Sequence, residues 1–155
     1  MDDLTHLDDR GRARMIDVGG KDVTDREATA EAVVVMMDTT KQALFSAGLP
    51  KGDAPAVARI AAIAGAKRTS DLVPLCHPIP LTAVEVDVEP VERGARVIVT
   101  VRTSGRTGVE MEAMTGAALG AVTLYDMIKG LDRGAEIGPV RLLSKSGGRS
   151  GEWRR

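Results

Sequence analysis

Two neighbouring stretches of strict alternation limit the fold of this chain more than anything else in it. From Leu81 to Val91, Val84, Val86 and Val88 alternate with Glu85, Asp87 and Glu89. From Ala95 to Thr103, Val97, Val99 and Val101 alternate with Arg96, Ile98, Thr100 and Arg102. Period two sends the valines to one face of a strand and the other set to the opposite face. Glu92-Arg93-Gly94 then joins the two as a hairpin. One strand carries acids and its neighbour arginines, an arrangement that cross-strand pairing favours. A sheet built on this hairpin has one apolar face, which needs a second layer to cover it.

The rest of the chain offers that layer. Glu27 to Met36 places Ala28, Ala30, Ala32, Val34 and Met36 on one face at period two, and its β-branched valines favour a strand. Asp38 to Ala47 suits a short helix closed by Gly48. A second helix runs from Ala54 to about Lys67, capped by Asp53, with Val57, Ile60, Ala61 and Ala64 falling three or four apart as one apolar stripe. Arg68 to Pro80 holds Pro74, Pro78 and Pro80 around Cys76-His77 and reads as a rigid loop without regular helix. A long helix follows from about Val109 to Leu131, then a strand from Ile137 to Leu143. Met15 to Val18 reads as a further short strand. The order is βαββαβ, an α+β, ferredoxin-like arrangement: an antiparallel sheet with helices packed on one face. The expected organisation is a flexible arm over 1–14, a single domain over 15–145 and a Gly-rich basic tail over 146–155.

Composition removes several functions. With 155 residues, 21 Lys+Arg against 22 Asp+Glu and a formal charge of −1, the whole-molecule field draws in neither nucleic acid nor an anionic membrane. Phe45, Tyr125 and Trp153 are too few for a base-stacking platform. No apolar run approaches a bilayer span. One cysteine, Cys76, and two histidines, His6 and His77, leave a Cys/His zinc site short of ligands. A lone cysteine reads as a reduced, cytoplasmic chain.

Any anion site must therefore be local. Lys51-Gly52-Asp53 puts an amine beside a helix start, and Ser104-Gly105-Arg106-Thr107-Gly108 leads into a helix N-terminus, where free N–H groups and the dipole favour an anion. Lys67, Arg68, Lys129, Lys145 and Arg149 add cations near element ends; singly, each is an ordinary solvated charge. Glu110-Met111-Glu112 sits in the first turn of the long helix, where acids complement the dipole. Asp126 and Lys129, three apart, share a face; the plain reading is a surface ion pair, the sharper one a pair held at low dielectric that lowers the lysine's pKa. Glu112 and Asp126 lie about 21 Å apart along such a helix. If both serve one small ligand, the site is shared between subunits. Cys76-His77, in a proline-fixed loop, is placed to present polar groups to a ligand.

Five segments together resemble a known family: Lys51-Gly52-Asp53; Ala66-Lys67-Arg68-Thr69-Ser70-Asp71-Leu72-Val73-Pro74-Leu75-Cys76-His77-Pro78; Thr107-Gly108-Val109-Glu110-Met111-Glu112-Ala113-Met114-Thr115; Leu124-Tyr125-Asp126-Met127; and Leu143-Ser144-Lys145-Ser146-Gly147-Gly148-Arg149-Ser150-Gly151. They are similar to the MoaC family of molybdenum-cofactor biosynthesis, the cyclic pyranopterin monophosphate synthases, from Leu4-Thr5-His6 to Gly151. The resemblance implies a homo-hexamer, a trimer of dimers with active sites at subunit interfaces. It implies the substrate (8S)-3′,8-cyclo-7,8-dihydroguanosine 5′-triphosphate, supplied by a radical-SAM GTP cyclase, and as products cyclic pyranopterin monophosphate and pyrophosphate. Asp126 is then the active-site acid, with Lys129 beside it and Lys51 as counterpart. Leu75, Cys76, His77, Met111 and Glu112 contact substrate, with Glu110 next to them, and Lys67, Lys145 and Arg26 hold phosphate. No cofactor is required; Mg²⁺ enters only as a companion of the triphosphate. Arg149 stands where lysine is common, and Gly65 and Gly116 where alanine is common. The rival reading is a non-catalytic nucleotide sensor on the same fold.

Overall fold

A computed structural model describes residues 6–155. In chain order these form β1 (Thr24–Val35), α1 (Asp38–Phe45), α2 (Ala54–Lys67), the single turn α3 (Thr69–Leu72), β2 (Ala83–Val91), β3 (Gly94–Gly105), α4 (Glu110–Ile128), β4 (Glu136–Ser146) and β5 (Trp153–Arg154). The sheet runs β2-β3-β1-β4-β5 with every neighbouring pair antiparallel. This is the expected α+β, ferredoxin-like arrangement, extended by β5. The alternating stretches pair as hairpin partners, Val86 opposite Val99 and Glu89 opposite Arg96. Ala30 on β1 faces Val99 from the other side.

Small side chains set the thickness of the molecule. Ala28, Ala30, Ala32 and Val34 of β1 and Val97, Val99 and Val101 of β3 are buried under α4. A Cβ on Gly116 would stand 3.0 Å from the Ala62 carbonyl oxygen, and one on Gly120 would stand 2.8 Å from a Val97 methyl. These glycines let α4 approach both the sheet and α2, so the small-residue lining serves helix-on-sheet and helix-on-helix contact at once. Against α4, α2 buries Ala54, Ala58, Ala62 and Ala66.

That packing corrects the reading of α2. Its stripe of Val57, Ile60, Ala61 and Ala64 is not the buried face: Val57 is 42% and Ile60 70% exposed. Two apolar stripes run along this helix. The close α2–α4 contact takes the alanine stripe, because the larger side chains would hold the backbones apart.

The opposite, open face of the sheet carries the expected ion pairs, and they extend onto β1 and β4. Arg102 bonds Glu27 and Glu85, each at 2.5 Å. Arg96 bonds Glu89 and Glu31, and Arg141 bonds Glu31 at 2.7 Å, so the buried Glu31 lies between two guanidinium groups. A buried carboxylate needs such partners.

Other elements differ from expectation. Residues 15–18 form no strand; the Ile16 carbonyl is taken by the His77 ring and not by a neighbouring strand. Within the expected loop 68–80, α3 makes one helical turn, closed by Val73 N–H donating to the Thr69 carbonyl at 2.8 Å. Pro74 is the first proline there, so nothing before it blocks the turn. The long helix ends at Ile128, and β4 continues to Ser146. Residues 1–5 of the expected arm lie outside the described residues. Beyond them, Leu7 and Ala13 form an antiparallel bridge, and Asp8 accepts from Arg10 N–H, Arg12 N–H and the Arg12 side chain.

Candidate active site

The two ends of α4 carry two different chemical environments. At its last turn, Asp126 accepts from two ammonium groups. Lys51 Nζ lies 3.0 Å from Oδ2 and also donates to the Asp126 main-chain carbonyl at 2.8 Å; Lys129 Nζ lies 2.8 Å from Oδ1. Local structure explains the convergence. Lys51 sits in the turn before α2, whose start is fixed by the Asp53 side chain accepting Ala56 N–H at 3.0 Å. Lys129 is locked at the C-cap of α4 by its N–H bond to the Tyr125 carbonyl.

All three side chains are about half exposed. The Lys129 hydrogen bond, then that of Lys51, holds the Asp126 carboxyl below its usual range, and the Asp126 carboxylate pushes Lys129 above its own. This corrects the expectation of a lysine lowered by a low-dielectric setting. The helix is apolar, but its end is open to water, so hydrogen bonding outweighs desolvation.

At the first turn of α4 the order is reversed. Glu112 is 3% exposed, and burial pushes its carboxyl up to about 7. Its own main-chain N–H works the other way, while the Glu110 charge adds to the rise. The Cys76 thiol is raised by burial and by the Glu112 charge, which brings the Cys76-His77 loop alongside this turn. A raised pKa leaves less of the nucleophilic thiolate at neutral pH. The Cys76 N–H donates to the Val73 carbonyl at 3.0 Å. His77 Nε2 donates to the Ile16 carbonyl at 2.7 Å. Leu75 and Met111 are exposed nearby in sequence, 38% and 40%.

Beside the same turn lies a cleft of about 690 Å³, walled by residues 20–27, 106–110 and 145–150. Arg26, Glu110 and Lys145, three of the expected site residues, line it together with Lys21, Arg106 and Arg149. Arg26 Nε donates to the Gly105 carbonyl at 2.9 Å, and Arg106 Nε to the Lys21 carbonyl at 3.0 Å, tying the walls to one another. Lys145 Nζ stands 3.4 Å from Glu110 Oε1 and 2.5 Å from Ser150 Oγ. Gly147 and Gly148 have positive φ. A Cβ on the first would strike the Asp25 carbonyl oxygen, and one on the second the Arg26 guanidinium, so only glycine lets the chain close over Arg26. The buried Thr24 Oγ1 lines this cleft without a hydrogen-bond partner among the described residues. Five cations against three acids give the cleft an excess of positive charge in a nearly neutral chain.

Not every expected residue joins these groups. Lys67 lines a separate groove with Ile63 and residues 79–84. Sequence reasoning did not single out Lys21, which lies in the segment between the expected first strand and β1; the Ser104–Gly108 loop did point to Arg106. Among the described residues no three His, Cys, Asp or Glu side chains gather as a metal site, and no helix is long and apolar enough to cross a membrane.

The MoaC family profile matches residues 15–148 of the chain. The chain is 53% identical over 153 residues to a cyclic pyranopterin monophosphate synthase of Corynebacterium glutamicum (strain R), covering 99% of this chain and 98% of the relative. It is 55% identical over 154 residues to the enzyme of that name from Roseiflexus castenholzii, covering 98% of each. A third such enzyme, from Brucella ovis, is 52% identical over 152 residues, 97% of this chain and 92% of the relative.

Proposed function

The chain belongs to the MoaC family, and from that premise we propose that it converts (8S)-3′,8-cyclo-7,8-dihydroguanosine 5′-triphosphate into cyclic pyranopterin monophosphate and pyrophosphate in molybdenum cofactor biosynthesis. The observation that carries this reading is the Asp126 carboxylate held between the ammonium groups of Lys51 and Lys129. A protein that only bound a nucleotide would need cations at the phosphates and would have no use for this cluster, which lies away from the cleft.

The reaction rearranges a purine-derived ring and closes a cyclic phosphate. The first part moves protons at carbon–nitrogen bonds. In the second, a ribose oxygen attacks the α-phosphorus, loses its proton to a base, and the bond to the pyrophosphate oxygen breaks. Lys129, kept protonated by Asp126, is suited to donate a proton or to face developing negative charge. Lys51 shares the same carboxylate and serves as its acid/base counterpart, while Asp126 fixes both ammonium groups in place. Arg26, Lys145 and the other cations of the cleft neutralise the triphosphate and the departing pyrophosphate. Lys67 adds a further phosphate contact. Leu75, Cys76, His77, Met111 and Glu112 contact the base-derived part of the substrate; Glu112, near half-protonated at neutral pH, can donate or accept there. Mg²⁺ arrives, if present, bound to the triphosphate.

The two groups of residues stand about 21 Å apart along α4. One small substrate cannot use both ends of the same helix, so the working site draws its acid/base cluster from one chain and its first-turn residues from another, within a hexamer. The substrate comes from a radical-SAM GTP cyclase. The single free Cys76 suits the reducing cytoplasm, where we place the enzyme.

The test supplies the cyclised dihydro-GTP and follows pyrophosphate and pterin product. Wild type should turn over, and Lys51→Ala and Asp126→Ala should not. Mixing an inactive Lys51 variant with an inactive Glu112 variant should restore part of the activity, because some interfaces then combine two intact halves. Binding without turnover by wild type would favour the sensor, and unchanged turnover in both alanine variants would remove the site assignment.

A further inference from the structure

The segment that leads from the bridged turn at 7–13 into β1 contributes no side chain to the core. Met15, Asp17 and residues 19–23 are exposed, and Ile16 and Val18 are only partly covered. Hydrogen bonds, not burial, must hold it in place. They form a continuous series. The His77 ring donates through Nε2 to the Ile16 carbonyl at 2.7 Å. Asp17 Oδ1 accepts Gly19 N–H at 2.7 Å, and Lys21 N–H donates to the Val18 carbonyl at 3.0 Å, which folds 17–21 into a tight turn. Arg106 Nε then donates to the Lys21 carbonyl at 3.0 Å. The series starts in the Cys76-His77 loop and ends in the wall of the cleft, where Lys21 stands with Gly20 and Asp22.

We propose that His77 is a positioning residue for the cleft: by holding Ile16 it fixes the strap 16–21, and with it the place of Lys21 in the cleft wall. The inference deepens the functional reading above and rests on it only for the identity of the anion. Two observations give it direction. First, among the described residues the His77 and Arg106 bonds are the two that tie residues 15–22 to the rest of the chain. Losing the first leaves the second alone. Second, Arg106 by itself is a poor anchor, because it lines the cleft and its terminal nitrogens are the donors that an anion would engage. The His77 end has no such competing duty toward phosphate. A wall fixed before binding spares the anion the cost of ordering it, so the His77 bond should appear as anion affinity at a group it does not touch.

Pyrophosphate alone separates this role from any contact of His77 with the base-derived part of the substrate, since it has no base. In calorimetry His77→Ala should weaken pyrophosphate binding about three- to tenfold, the worth of one hydrogen bond. Lys21→Ala should weaken it by a similar factor, and the double variant by no more than the larger single one, because both changes remove the same ammonium from the wall. His77→Gln, whose amide can donate to Ile16 in place of the ring, should bind as wild type does. Wild-type affinity in His77→Ala, full multiplication of the two factors in the double variant, or a His77→Gln protein as weak as His77→Ala would each overturn the proposal. Hydrogen exchange needs no anion. The Lys21 amide should exchange several-fold faster in His77→Ala and at the wild-type rate in His77→Gln; unchanged exchange in His77→Ala would also overturn the proposal. If exchange behaves as expected and wild type binds no pyrophosphate, the phosphate reading of the cleft fails and the hold of His77 on the strap stands.

Discussion

The last turn of α4 is wet and charged, with one carboxylate set against two ammonium groups; its first turn is dry, and its carboxyl is held back from ionising. Asp126 has two ammonium partners and a lowered pKa, while Glu112 has a carboxylate neighbour and a pKa of about 7. The same helix thus presents one acid whose ionised form is favoured and another that is poised near neutrality. Their environments differ because Lys51 and Lys129 converge on one end, while at the other Glu112 is buried with Cys76 nearby. Pairs of acids pushed apart in this way mark a division of acid/base labour.

The largest effect expected from breaking this contrast is at the charged end. Asp126→Ala and Lys51→Ala should each lower kcat on the order of 10²–10⁴-fold, with little change in thermal stability because the side chains are half exposed. A loss confined to KM would instead assign the cluster to binding. At the cleft beside the dry end, Arg26→Ala or Lys145→Ala should raise KM roughly ten- to a hundredfold, the value of a charge-assisted hydrogen bond to phosphate; a purely kcat effect would contradict that role.

Glu112→Gln probes the dry end through stability. The folded-state pKa is raised above the unfolded one, so the folded chain keeps a proton that the unfolded chain releases near 4.5. The associated stability is complete below about pH 4.5 and is lost as pH rises through 7. Denaturant titration should find Glu112→Gln more stable than wild type at pH 8, by about 1–3 kcal/mol, with the difference shrinking toward pH 5. Parallel curves at all pH values would mean that Glu112 ionises normally. The smallest effect expected is at His77: His77→Ala should increase hydrogen exchange at residues 15–18 several-fold, since the ring holds the Ile16 carbonyl, at a cost of about 1 kcal/mol.

The pairing of β2 with β3 as a hairpin was legible in the alternation of Val84 to Val88 and of Val97 to Val101, because burial on one face leaves a period of two in the residues themselves; the order of the other strands was not. Which face of α2 is buried was not legible. Val57 and Ile60 are the more hydrophobic stripe, but contact with the glycines of α4 selects the smaller Ala58 and Ala62, and that choice depends on a neighbour distant in sequence. The cluster of Asp126 with Lys129 followed from their spacing. Lys51 came from family resemblance, since nothing local links it to Asp126. The direction of the Lys129 shift depended on solvent access at the helix end, which spacing does not encode. Lys21 reaches the cleft because Arg106 holds its carbonyl, a contact across much of the chain.

The short strand β5 gives the cleft a property of its own. Trp153 pairs with Lys145, Arg154 with Ser144, and the Arg155 N–H donates to the Leu143 carbonyl at 2.9 Å. The segment from Gly147 to Gly151 is therefore a closed loop, anchored at both ends, and not a free terminus. Closing it has already removed much of the conformational freedom that a phosphate ligand would otherwise have to remove on binding. A chain cut after Gly151 would retain every cation of the cleft and still bind more weakly, with the difference appearing as unfavourable entropy in calorimetry.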